Sequence, residues 1–108
     1  MFGVYYILDK NKLAIPVATV VEWARFFEIK AARRVALEEI GGLTISTVFL
    51  GIDLSFGDSE VPILFETMIF KGDSSIDCDR CGTWEEAIEM HERHVAKVIA
   101  KITAGADQ

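Results

Sequence analysis

Four metal-ligating side chains, Cys78, Cys81, His91 and His94, fall in the pattern C-x2-C-x9-H-x2-H. Thiolates and imidazoles are the donors of structural zinc sites, and the C-x2-C half has knuckle spacing. The remaining spacing fits no standard finger. A helix between the two halves would carry His91 about 10 Å from its start at ~1.5 Å rise per residue, so the cysteine loop would have to fold back. The expectation is therefore no cofactor, with zinc at Cys78, Cys81, His91 and His94 as the alternative. A redox role would need the cysteine pair at a helix start within a βαβ unit, which the sequence does not supply. Asp77 and Asp79 would also disfavour the thiolates by like-charge repulsion.

His91 suggests a second chemistry. It falls mid-way along an apolar helical stripe, so it should face the interior, where a neighbour would satisfy its ring nitrogens. The one carboxylate inside the central apolar run is Glu66, and the two could form a buried carboxylate–imidazole pair. Such a pair can act as a general base, but nothing around it supplies a nucleophile or oxyanion donors. The expected binding residues are Thr47, Phe49, Glu66, Met68, Trp84 and His91, and no enzyme activity is expected.

These residues need elements to position them. Gly41-Gly42 lies between Ile40 and Leu43, the pattern of a two-residue hairpin turn. Strands are expected at 33–40, 43–52 and 61–70, with Pro62 near the start of the last, where a missing amide does least harm. If Ile52 faces Val61, then Val48, Leu50, Ile52, Val61, Ile63, Phe65 and Ile69 share the core face. Thr47 would then oppose Glu66 on the other face, and a one-residue slip would exchange the two faces. Both faces are apolar, so helices cover both or a partner meets one.

Val4 to Leu8 and Leu13 to Val17 read as a small hairpin. Thr19 to Glu22 and Thr83 to Glu86 both match capping boxes. They open a helix from Val20 to Ile29 and another from Trp84 to about Ile102, whose buried stripe should hold Trp84, Ala87, Ile88, His91, Val95, Val98, Ile99 and Ile102. Lys30, Arg33 and Arg34 form the basic cluster of a solvated connection, with an anion site as its functional version. Gly57 reads as a turn, Lys71 to Gly82 as a polar loop, and Ala104 to Gln108 as a frayed tail. The expected fold is α+β: one antiparallel sheet of four to five strands with two helices, in the order β-β-α-β-β-β-α, forming a single domain over residues 1–108.

At 108 residues the chain can bury a core without staples. Its net charge of −6 disfavours direct nucleic-acid binding and suits a basic protein partner. The N-terminus lacks a signal-peptide pattern, and no apolar run is long enough to span a bilayer. Two cysteines make no disulfide framework, so a cytoplasmic setting is expected.

The stretches Ser46 to Asp53, Ile63 to Phe70 and Thr83 to Ala87 with His91 resemble a group of small bacteriophage- and prophage-encoded proteins. The resemblance covers about Trp23 to His91 and implies a bacterial or phage cytoplasmic setting. It implies an accessory protein that binds a host or phage protein, an anti-defence (anti-CRISPR-like) inhibitor being one version. A homodimer through the apolar face is a further expectation. The alternative function is a small-molecule or metal-binding module centred on Glu66 and His91.

Overall fold

The computed structural model describes residues 5–56, 58 and 60–106. The expected strand residue Val4 and the turn residue Gly57 lie outside them. The class is α+β, as the patterning predicts, with more elements than expected. The order is β1 (Tyr5–Leu8), β2 (Ala14–Val17), α1 (Val20–Phe27), α2 (Lys30–Arg33), β3 (Arg34–Ile40), β4 (Leu43–Phe49), β5 (Phe65–Lys71), β6 (Ser74–Cys81) and α3 (Trp84–Ala106). The strands form two antiparallel sheets instead of one: β1-β2, and a meander β3-β4-β5-β6.

The local signals act as their chemistry dictates. Gly41 and Gly42 take φ of 57° and 81°, the left-handed pair that a tight hairpin requires. Thr19 accepts the Glu22 amide at 3.2 Å, and Thr83 accepts the Glu86 amide at 3.2 Å, so both boxes cap. Each threonine hydroxyl also donates to the glutamate carboxylate of its own box.

Three expectations are corrected. The stretch Lys71 to Gly82 is not a loop: Ser74–Cys81 is the edge strand β6, paired with β5 along its length. The β4–β5 register is one residue away from the expected one. Phe49 faces Phe65, Thr47 faces Thr67, and Glu66 faces Val48. The cause lies between the strands, where the ladder ends at the Phe49–Phe65 pair. Gly51 turns left-handed at φ 71°, and Ile52 leaves β5 to bridge Tyr5 of β1. Finally, α1 ends at Phe27 and a separate short turn, α2, makes the connection, so there are three helices.

The slip decides which face is the core. Ile45, Thr47, Phe49, Phe65, Thr67 and Ile69 all point inward and are almost fully buried. Helix α3 lies across that inner face and touches all four strands of the sheet. Its buried side is Ala87, Met90, His91, His94 and Val98, whereas Ile88, Ile99 and Ile102 are 40%, 48% and 38% exposed. The expected stripe is therefore rotated toward Met90 and His94, and the helix continues four residues past Ile102. Aromatic rings join the elements edge to face, Phe26 on Phe49 at 5.8 Å, Phe49 on Phe65 at 5.2 Å and Phe65 on Trp84 at 6.2 Å. Phe49 and Phe65, the two fully buried rings, each contribute roughly 1.5–3 kcal/mol of burial. Trp23 ties α1 to the sheet by donating its indole N–H to the Leu50 carbonyl at 3.0 Å. No helix among the described residues is long and apolar enough to cross a membrane.

Candidate functional site

The inward slip brings together a chain of polar groups under α3. His91 Nδ1 lies 2.6 Å from Thr47 Oγ1, and His91 Nε2 lies 3.1 Å from Glu38 Oε2. Thr47 and Thr67, directly opposite across β4 and β5, share a hydroxyl hydrogen bond. An ionised carboxylate can only accept, so in neutral His91 Nε2 carries the proton and donates to Glu38. Nδ1 then accepts from Thr47, whose oxygen accepts from Thr67. The hydrogen bonds of Thr67, Thr47, His91 and Glu38 thus run in one direction, from β5 through β4 and α3 to β3.

Carboxylate, imidazole and hydroxyl in this order have the composition of a nucleophilic triad. Access decides against that use. Thr47 is 0% and Thr67 1% exposed, so no substrate atom can reach either oxygen in this conformation. Only Glu38, with 43% of its side chain exposed, meets solvent. As it stands the chain is a structural network that fixes α3 on the sheet.

A second set fastens α3 to the edge strand. Asp79 takes the Arg80 backbone N–H through one oxygen and lies 3.0 Å from His94 Nε2 through the other. Asp77 likewise accepts the Cys78 backbone N–H and the Lys97 ammonium, the latter at 2.7 Å. The Lys97 hydrogen bond holds the Asp77 carboxyl below its ordinary range, and the His94 hydrogen bond does the same for Asp79. His94 Nδ1 is buried without a hydrogen-bond partner, 3.8 Å from Asp77.

Glu66 does not join His91, which corrects the expected pair. The slip carries Thr47 to the core face under α3 and leaves Glu66 on the outer one, where it accepts from Arg80 Nε at 3.1 Å and lies 3.5 Å from the Cys78 thiol. Of the expected binding residues, Thr47, Phe49, Trp84 and His91 line the inner side, while Glu66 and Met68 face outward. The zinc set does not converge either. Cys78 and Cys81 are an odd number of residues apart on a strand and so point to opposite faces. His91 and His94 are occupied by Glu38 and Asp79. Among the described residues no group of three or more His, Cys, Asp or Glu side chains is placed to hold a metal ion. Burial raises both thiols, that of Cys81 to about 11, which keeps them protonated and poor ligands at neutral pH.

Glu38 and Asp79 are the partners that sequence reasoning missed. Their signal was the strand alternation: Glu38 falls between Ala36 and Ile40 on the inward parity of β3, where a carboxylate must have a partner.

Two surfaces remain open. The outer face of the β3–β6 sheet shows Leu37, Val48, Met68 and Phe70 side by side, all partly exposed, with the Glu66–Arg80 pair at one end. Among the described residues α3 is the one helix with extensive contact to this sheet, and it lies on the other side. The second surface is a mainly apolar cleft of about 610 Å³ between the β1–β2 hairpin, the 61–64 segment and the start of α3. Ala14, Pro16, Pro62 and Phe65 line it. Lys12, held at φ 66° in the hairpin turn, also lines the cleft and places its ammonium 5.1 Å from the neighbouring Trp84 ring.

No protein-family model, no curated protein and no solved structure matches the chain.

Proposed function

We propose that this protein acts by binding another protein, without catalysing a reaction, and that the outer face of the β3–β6 sheet is its contact surface. The carrying observation is the row Leu37, Ser46, Met68 and Cys78, which crosses all four strands on the side away from α3, between the apolar Val48 and Phe70. Apolar side chains are gathered here at Leu37, Val48, Met68 and Phe70, interrupted by Ser46, and such clustering on one open face marks an interaction surface. The residues best suited to catalysis, by contrast, are sealed beneath α3. Docking onto the face is favoured over strand addition at β6. Asp77 and Asp79 already occupy the Cys78 and Arg80 backbone N–H groups, so those donors are withheld from an incoming strand.

The resemblance to phage- and prophage-encoded proteins supplies the setting: an accessory protein in the cytoplasm of a bacterial cell, with a host or phage protein as partner. Inhibition of a host defence system, in the manner of an anti-CRISPR protein, is the specific version of this reading. The net charge of −6 suits a basic partner. The test is co-purification from bacterial lysate with native protein and with Met68→Asp, alongside light scattering. A stoichiometric partner lost in a folded Met68→Asp variant upholds the reading. A partner retained by that variant places the contact elsewhere. A native protein that is dimeric and becomes monomeric on Met68→Asp assigns the face to self-association.

The cleft favours a second reading, the binding of a small apolar molecule. Its volume lies within the roughly 300–1,000 Å³ typical of ligand sites. Quenching of Trp84 fluorescence by an apolar probe in a Trp23→Phe background, abolished by Ala14→Leu, is the outcome this reading expects.

A further inference from the structure

We infer that the recess where α2 enters β3 binds a phosphate dianion, free or as a monoester. Lys30, Arg33 and Arg34 line this recess of about 270 Å³, with Ser46 and Val48 of β4 forming its floor. Three cations gather here in a chain of net charge −6. Among the described residues none of them forms an ion pair with a carboxylate. Lys30 and Arg34 are exposed, so their charges are accessible to an anion arriving from solution.

The backbone and packing prepare the site. Arg33 donates its Nε to the Phe27 carbonyl at 3.0 Å, and its guanidinium stacks 4.1 Å above the Phe27 ring. That contact caps the end of α1 and fixes the fork, leaving the terminal nitrogens for a ligand at little further entropic cost. The pairing of β3 with β4 shifts between Arg34 and Ala36, and this bulge sets Arg34 opposite Val48 on the outer face. The carboxylate in the same cross-strand row, Glu66, lies beyond Val48 and is already held by Arg80 at 3.1 Å. It therefore offers the recess little competing charge.

The ligand class follows from donor count and size. Two guanidinium groups, an ammonium and a hydroxyl exceed what one carboxylate can accept, whereas a tetrahedral phosphate carries about −1.5 to −2 charges and three acceptor oxygens. The recess is smaller than the ~300 Å³ lower bound for drug-sized ligands, so it fits a head group and leaves the remainder of an ester outside. A nucleic-acid backbone would need a run of cations along a surface, which this acidic chain lacks.

The experiment is an amide NMR titration of the full chain with sodium phosphate and with phenyl phosphate, ionic strength held constant by sodium chloride. The site predicts saturable shifts confined to residues 30–34 and 46–48. It also predicts at least about a tenfold rise in apparent Kd for Lys30→Gln/Arg34→Gln, both side chains being exposed, as the loss of charged hydrogen bonds implies. Tighter binding of phenyl phosphate identifies a phosphorylated molecule as the source, and tighter binding of inorganic phosphate identifies the free ion. Should the double variant not fold, Ser46→Ala is expected to weaken binding in the same direction. Shifts that are linear, spread over the whole chain, reproduced by chloride, or unchanged in the folded variants overturn the site.

Discussion

His91 Nδ1 and Thr47 Oγ1 stand 2.6 Å apart in a part of the core where both residues are almost wholly buried. This contact is the hinge of the architecture, because it couples the middle of α3 to the middle of the β4–β5 pair. It forms only because Thr47 faces Thr67, which leaves Glu66 to the outer face.

Thr47→Val is expected to destabilise the fold by roughly 1–3 kcal/mol, since it strands His91 Nδ1 and the Thr67 hydroxyl without replacing them. Thr47→Val combined with Thr67→Val should cost less than the sum of the single changes, because the two hydroxyls share one hydrogen bond. Urea unfolding of the four proteins in the cycle measures this coupling.

Gly51→Ala should be more damaging than an ordinary loop substitution. A Cβ there would meet the Tyr6 carbonyl oxygen at 2.5 Å and Trp23 Nε1 at 2.7 Å, on a backbone already at φ 71°. The strain amounts to about 1–3 kcal/mol. The Trp23 indole N–H resonance should lose its shift from the Leu50 hydrogen bond, reporting that α1 has moved off the sheet.

Acid should loosen the α3–β6 attachment. Asp77 and Asp79 have folded-state pKa values depressed below the usual 3.8, through Lys97 and His94 respectively. Their contribution is therefore complete above 3.8 and is lost as pH falls through the lower folded values. The side chains are 31% and 44% exposed, so solvent screening keeps the loss within roughly 1 kcal/mol. In urea titrations between neutral and strongly acidic pH, Asp77→Asn/Asp79→Asn should show a shallower acid slope than the native protein.

The two thiols should react separately and without metal dependence. Cys78 is exposed and Cys81 packs against the core, with its thiol raised to about 11. Alkylation near neutral pH should modify Cys78 first and Cys81 only on unfolding. A chelator should leave the thermal midpoint unchanged; a fall of several degrees would show a metal the geometry does not accommodate.

The local grammar of the chain was legible in its residues. Gly41-Gly42 dictates a hairpin because both positions need positive φ, and the two threonine–glutamate boxes start helices because their side chains satisfy amides within three residues. Those interactions close within a few residues, so sequence order is enough to specify them. The mid-stripe position of His91 likewise placed it inside, and it is buried.

The site itself needed the tertiary structure. Register is a global quantity: the left-handed turn at Gly51 and the bridge from Ile52 to Tyr5 shift β4 by one residue, and alternation then exchanges the two faces of β4, so that Ile45, Thr47 and Phe49 join Phe65 and Ile69 in the core while Val48 turns outward. Strand β6 looks like a loop because its inward positions are the aspartates Asp77 and Asp79, whose partners His94 and Lys97 are supplied by α3. Met90 is buried and Ile88 exposed for the same reason: the helix rotates to satisfy two histidines against carboxylates on β3 and β6, and apolar content alone carries no record of that demand.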